Sequence, residues 1–180
     1  MSPQNPTLRA LLEMWRNARK ASARPTFDGF CNQDLALFNT VLKDSVILEA
    51  EENGPFRFAF LGSEMEDYLG RNLQDSVFEN SHVRQLTDGF TFPPGDIADR
   101  GRPALSQLNL RCANSQDTVA VELLCLPLEG NTQGVSALLC TVLPEGRNSM
   151  PHGLGAVVSI EGRSGFVESN GEAVNPQACE

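Results

Sequence analysis

The chain is poor in the residues that most chemistry needs. It has two histidines, His82 and His152, in 180 residues. Its five cysteines, Cys31, Cys112, Cys125, Cys140 and Cys179, include no Cys-x-x-Cys pair. Neither set gives the ligand spacing of a structural metal site. An odd number of widely spaced thiols also argues against a disulfide framework, and small buried hydrophobes in a reducing cytoplasm are the simpler reading. Cys31 lies near Asp28 and Asp34, which disfavour its thiolate and any nucleophilic role. No apolar run approaches ~18 residues, so no membrane span is expected. The start, MSPQNPTLRALLEMW, lacks a basic opening, a long apolar stretch and a cleavage site, and a cytoplasmic protein is expected. No glycine-rich phosphate loop stands between a strand and a helix.

What is present describes an ordinary globular domain. Hydrophobic residues make up 41% and charged residues 21%. A chain of this length buries roughly two-thirds of its unfolded surface without help from disulfides or metals. The net charge of −9 repels phosphate backbones, so nucleic acid and anionic membranes are not expected partners. The charge is uneven: Arg9, Arg16, Arg19, Lys20 and Arg24 stand near the start against Glu13 alone. That asymmetry suggests an N-terminal segment facing something acidic.

Residues 1–6 read as loose. Thr7 offers an N-cap, and Leu8, Leu11, Leu12 and Trp15 form one apolar helical stripe. Arg24-Pro25 breaks that helix. A second helix is expected from about Asn32, burying Leu35, Phe38, Val41 and Leu42. Residues 45–51 and 56–61 then read as strands around an Asn53-Gly54 hairpin turn. Ser63 and Glu66 suggest a capping box, and Gly70 a helix stop. Between 72 and 100 a helix is expected from Glu79 to Phe90, with Phe92-Pro93-Pro94-Gly95 as a loop. Residues 103–112, 117–127 and 134–143 read as an antiparallel meander. After Pro144 the composition turns to Gly, Ser, Asn and Glu, and 145–180 is expected to be a flexible tail holding at most a weak hairpin.

This order predicts an α+β fold, with a five-stranded antiparallel sheet, short helices on one face and the N-terminal amphipathic helix. It resembles the PAS fold. The local motifs are similar to one bacterial group within it, PAS_5, typical of alphaproteobacteria. They are Leu8-Arg9-Ala10-Leu11-Leu12-Glu13-Met14-Trp15, Arg19, Arg24-Pro25-Thr26-Phe27-Asp28, Phe56 to Ser63, Leu69-Gly70-Arg71-Asn72-Leu73, Gly101-Arg102-Pro103 and Leu126-Pro127-Leu128. The resemblance covers about residues 8–143. Residues 28–34 depart from the group's usual step, and the tail is no part of its pattern. The implied division is an N-terminal helix and linker over 1–30, a PAS-like domain over 31–144, and the tail over 145–180.

The resemblance implies a sensory or regulatory domain of signal transduction and not an enzyme. It would act through a small apolar ligand, through association with a signalling protein or a second copy of itself, or through both. A PAS-like fold encloses an apolar cavity, and the positions it implies are Phe58, Phe60, Tyr68, Leu69, Val83, Leu86, Leu108, Leu110, Val121, Leu123, Ala137 and Leu139. Core packing accounts for each of them equally well. The stripe Leu8, Leu11, Leu12 and Trp15 is the natural contact surface, against the chain's own sheet or a partner. Haem-binding PAS domains often take a ligand from the region of His82, which makes haem the one specific cofactor to consider; no cofactor is the main expectation. The flavin-photosensor motif is missing from the helix before the meander. Two rival readings stay open. One is an adaptor with a filled core. The other is a cone-shaped acid–base enzyme, for which Glu122 is the one charged residue well inside the meander.

Overall fold

The computed structural model describes residues 1–19, 24–50, 54–69, 73–87, 92–114, 118–130, 136–145 and 157–167. Helix α1 (Pro6–Arg19) starts earlier than Thr7 suggests. Its cap is Asn5, whose Oδ1 accepts from the N–H of Thr7 at 2.9 Å and of Leu8 at 3.3 Å. Pro6 then takes the first helical position, where a missing N–H costs nothing. The residues before it are not loose, since Pro3 and Asn5 are buried. The apolar stripe of α1 is closed off, with Leu8, Leu11, Leu12 and Trp15 at most 2% exposed.

The helix expected from Asn32 comes as two. The Thr26 hydroxyl caps α2 (Phe27–Cys31) and the Asp34 carboxylate caps α3 (Leu35–Leu42). Phe38 and Val41 turn inward as expected, but Leu35 is 57% exposed at the first turn of α3. These helices, with α1, cover one face of the sheet against Leu105, Leu124, Leu126, Leu128 and Leu139.

The sheet is antiparallel and has six strands, in the order β2-β1-β5-β4-β3-β6. They are β1 (Ser45–Ala50), β2 (Phe56–Leu61), β3 (Ala104–Cys112), β4 (Thr118–Glu129), β5 (Ser136–Pro144) and β6 (Val157–Phe166). The first five are the hairpin and meander expected from the sequence. The sixth is a correction, because it lies where a flexible tail was expected. Its apolar residues look scattered because the pairing with β3 skips residue 158, which breaks the alternation of faces. Gly162 lets the two backbones close: a Cβ there would stand 2.2 Å from the Gln107 carbonyl oxygen. The Ser106 and Ser164 hydroxyls meet at 2.6 Å, and Phe166 stacks on Phe92 at 4.0 Å.

The second face carries α4 (Ser63–Leu69), a 3₁₀ turn (Phe78–Asn80), α5 (His82–Thr87) and α6 (Pro94–Arg100). The helix expected over Glu79–Phe90 is thus a turn and a shorter helix, with residues 88–90 outside the described residues. The expected loop at Phe92-Pro93-Pro94-Gly95 gives way to α6, with proline in its first turn. Gly101 ends α6 with φ +56°, a left-handed position suited to glycine. Asn53 and Gly70 lie outside the described residues.

Candidate functional site: an apolar cavity between sheet and helices

The helices of the second face do not fill the space above the sheet. They leave a cavity of about 120 Å³. One water takes up roughly 10–15 Å³ of such space, so the cavity admits a small molecule. Its floor takes Val46 and Leu48 from β1, Phe58 from β2, Leu108 and Leu110 from β3, and Leu123 and Cys125 from β4. Leu138, Cys140 and Val142 of β5 and Val157 and Ile160 of β6 complete it. The roof takes Met65, Tyr68 and Leu69 from α4, with Phe78, Val83, Phe92, Pro94 and Ile97. None of these side chains is charged.

Seven of the positions singled out in the sequence line this cavity: Phe58, Tyr68, Leu69, Val83, Leu108, Leu110 and Leu123. Val121 is fully buried in the same core cluster without lining the cavity. The Leu86 side chain lies outside the description. Phe60, Ala137 and Leu139 are corrections, since they pack against the α1–α3 layer. Two causes account for them. The β1–β2 register shifts between Ile47 and Leu48, where Ile47 faces Phe60 and Leu48 faces Phe58. The extra residue, Ala59, sends Phe58 and Phe60 to opposite faces. Strand β5 is buried on both faces and is apolar on both apart from Ser136 and Thr141, so its sequence carries little parity. On β4 the parity was legible: Cys125 follows Val121 and Leu123 on the same face and could have been named with them.

The polar atoms in this lining are few. The Tyr68 phenol has its pKa raised, first by burial and then by the carboxylates of Glu64 and Asp44, so it stays a hydroxyl at neutral pH. Cys125 and Cys140 sit directly opposite each other on β4 and β5. The neighbouring Cys140 side chain first, and burial second, push the Cys125 thiol well up. Cys31 lies in the other core, where burial first and Asp28 second push its thiol up to about 11. That agrees with the expectation that it is no nucleophile.

The remaining candidates do structural work. Glu122 is fully buried on the face opposite the cavity. Its carboxylate accepts the Gln4 N–H at 2.9 and 3.0 Å and the Asn5 N–H at 2.7 Å, which clasps the start of α1 to β4. It therefore has no place in a cavity-based acid–base reaction. His82 holds its Nε2 at 2.9 Å from the Leu69 carbonyl oxygen, so that nitrogen carries the proton. It does not line the cavity. Arg100 and Arg102 lie over the Phe166 ring at 5.1 and 5.9 Å, while Asp96 and Asp99 are exposed. Arg19 sits over the Trp15 ring at 5.1 Å. Among the described residues no group of three or more His, Cys, Asp or Glu could hold a metal, and no helix is long and apolar enough to cross a membrane.

A family model described as PAS domain, PAS_5, matches residues 3–142. This chain belongs to the PAS_5 family of PAS domains. PAS domains are in general sensory and regulatory modules that do not catalyse reactions; they commonly bind small ligands or mediate protein association. Comparison with curated proteins gives no match. Three of the motifs that carried the resemblance, those of Trp15, Arg24-Pro25 and Leu126-Pro127-Leu128, meet in one place in this PAS domain. The Trp15 indole N–H donates to the Pro127 carbonyl at 2.7 Å. Pro127 lies past the last β3–β4 pair, Ala104 with Cys125, so its carbonyl is open to the indole. The Pro25 carbonyl accepts the Glu129 N–H at 2.8 Å, and Arg24 donates to the Ser136 hydroxyl at 2.7 Å. The arginine–proline turn thus fastens the N-terminal layer to the β4–β5 hairpin. Strand β6 lies beyond the matched residues, yet it supplies Val157 and Ile160 to the cavity wall.

Proposed function

We propose that this PAS domain is a sensory module of signal transduction that takes a small, uncharged, apolar ligand into the cavity between its sheet and α4–α6. The observation that carries this reading is the cavity of about 120 Å³ with no charged side chain in its wall. An anion there would lose its hydration and gain no cationic partner, so a neutral molecule is favoured. Tyr68 is the one lining side chain with a hydroxyl.

Association with a signalling protein or a second copy belongs to the same reading, but not through Leu8, Leu11, Leu12 and Trp15. Those side chains are spent on the chain's own sheet. A contact would use the outer face of α1 or another surface. Deleting α1 would expose the core and would not test association.

The test is a thermal shift titration of the full chain with toluene, indole and a medium-chain fatty acid as probes. A saturable rise in Tm with the neutral arenes and none with the carboxylate supports the reading. No rise with any of them, or a rise with the fatty acid alone, overturns it.

A further inference from the structure

Cys125 and Cys140 have a placement that simple core packing does not require. The Val142 N–H donates to the Asp44 carbonyl at 3.0 Å, so Val142 turns its backbone groups toward β1. The Glu145 N–H donates to the Ala120 carbonyl at 3.1 Å, so Glu145 turns toward β4. Backbone groups alternate sides along a strand. Cys140, two residues before Val142, therefore also turns toward β1. Its pairing with Cys125 across β4–β5 is then the non-hydrogen-bonded kind, whose Cα atoms lie about 4.5 Å apart with their side chains closest. A disulfide spans Cα separations from about 4.4 Å upward, so this pair stands at the short end of its reach. Both side chains line the cavity. Cys125 is 7% exposed and Cys140 is more open.

We propose that Cys125 and Cys140 are a modification site in the cavity wall, oxidised by a peroxide to a cross-strand disulfide and returned to thiols by a small-molecule thiol. Cys140, the more accessible, reacts first. Its thiol gives up its proton, the thiolate sulfur attacks one peroxide oxygen, the O–O bond breaks, and the departing hydroxide takes up that proton and leaves as water, giving a sulfenic acid. The Cys125 sulfur then attacks that sulfur and gives up its proton, the S–O bond breaks, and the hydroxyl leaves as a second water. The two thiols lose two electrons and the peroxide gains them. Burial slows the thiolate step at Cys125, which suits it to the second, resolving role. The short spacing favours a bond that is easily reduced again. The site does not depend on whether the cavity holds a ligand.

The experiment treats the full chain with hydrogen peroxide and counts thiols after denaturation, with peptide mapping. The expected result is loss of two of the five thiols, a map linking Cys125 to Cys140, and full recovery with reduced glutathione. Cys125→Ala and Cys140→Ala, which keep the wall apolar, should each abolish that link while the fold, read by circular dichroism, is retained. Retention of all five thiols overturns the proposal. So does a link through Cys31, Cys112, Cys179 or a second chain, oxidation of Cys140 that stops short of the link, or a link that glutathione does not reduce. Should either alanine variant fail to fold, Cys31→Ala and Cys112→Ala serve in its place: the Cys125–Cys140 link must survive both.

Discussion

Glu122 carries a charge in the interior, where the backbone N–H groups of Gln4 and Asn5 meet it. Hydrogen bonds to a charged group are worth about 1.5–3 kcal/mol, and a buried N–H left without an acceptor costs about 1–3 kcal/mol. Glu122→Ala should therefore lower the unfolding free energy by roughly 3 kcal/mol in a urea titration, and Glu122→Gln, which keeps one acceptor oxygen, by roughly half of that. A loss under ~1 kcal/mol for the alanine variant would show that the clasp contributes little. Cys31 offers a pH test. A thiol that holds its proton more tightly when folded stabilises the fold fully below its ordinary pKa near 9.0 and loses that contribution as pH rises toward about 11. The Tm of the chain should fall across that window, and Cys31→Ala should fall less steeply. Tyr68 and Cys125 are shifted the same way, so part of the slope should remain. Equal slopes for the two proteins would remove Cys31 from this account.

At the scale of elements, β6 depends on one position without a side chain. Gly162→Ala places a methyl carbon 2.2 Å from a backbone oxygen and 2.9 Å from the Leu108 Cα, neither of which can swing aside. The strand should detach from β3 while β1–β5 keep their pairing. Hydrogen exchange reads this directly: protection over 157–166 should fall by an order of magnitude or more, with α1 and β4 unchanged. Protection that persists in the variant would mean the two backbones can part without separating. The sequence concealed this strand for a physical reason. An edge strand needs one apolar face only, and its pairing slips by a residue at 158, so its pattern is neither continuous nor alternating. The meander was legible because Asn, Gly and Asp turns punctuate long runs of β-forming residues. The stripe of α1 was legible because helical spacing sorts apolar from basic residues cleanly. The cap at Asn5 was not, because the residue is held in place by donating its backbone N–H to Glu122 and its side-chain amide N–H to the Pro144 carbonyl, both far along the chain.

The whole molecule is one sheet shared by two cores of different quality. The α1–α3 face is closed, with Leu105, Leu124, Leu128 and Leu139 at 0% exposure. The α4–α6 face keeps a cavity. Strand β5 serves both, with Ala137 and Leu139 turned to the closed face and Leu138, Cys140 and Val142 to the open one. Two substitutions of similar kind on this one strand should therefore have opposite consequences. Ala137→Leu adds methyl groups to a filled core and should cost about 1–3 kcal/mol, leaving toluene binding within a few-fold of its starting value. Val142→Phe adds its volume to empty space, so it should leave stability within about 1 kcal/mol of the parent or raise it, because new contacts replace a void. It should also weaken toluene binding at least tenfold. Urea titration and the toluene-dependent Tm shift, measured on both variants, give the comparison. If Ala137→Leu blocked the probe and Val142→Phe did not, the faces of β5 would be reversed and the cavity could not lie where these residues place it. If neither variant changed the probe's affinity, toluene would bind outside the cavity, and the sensory reading would lose its ligand site.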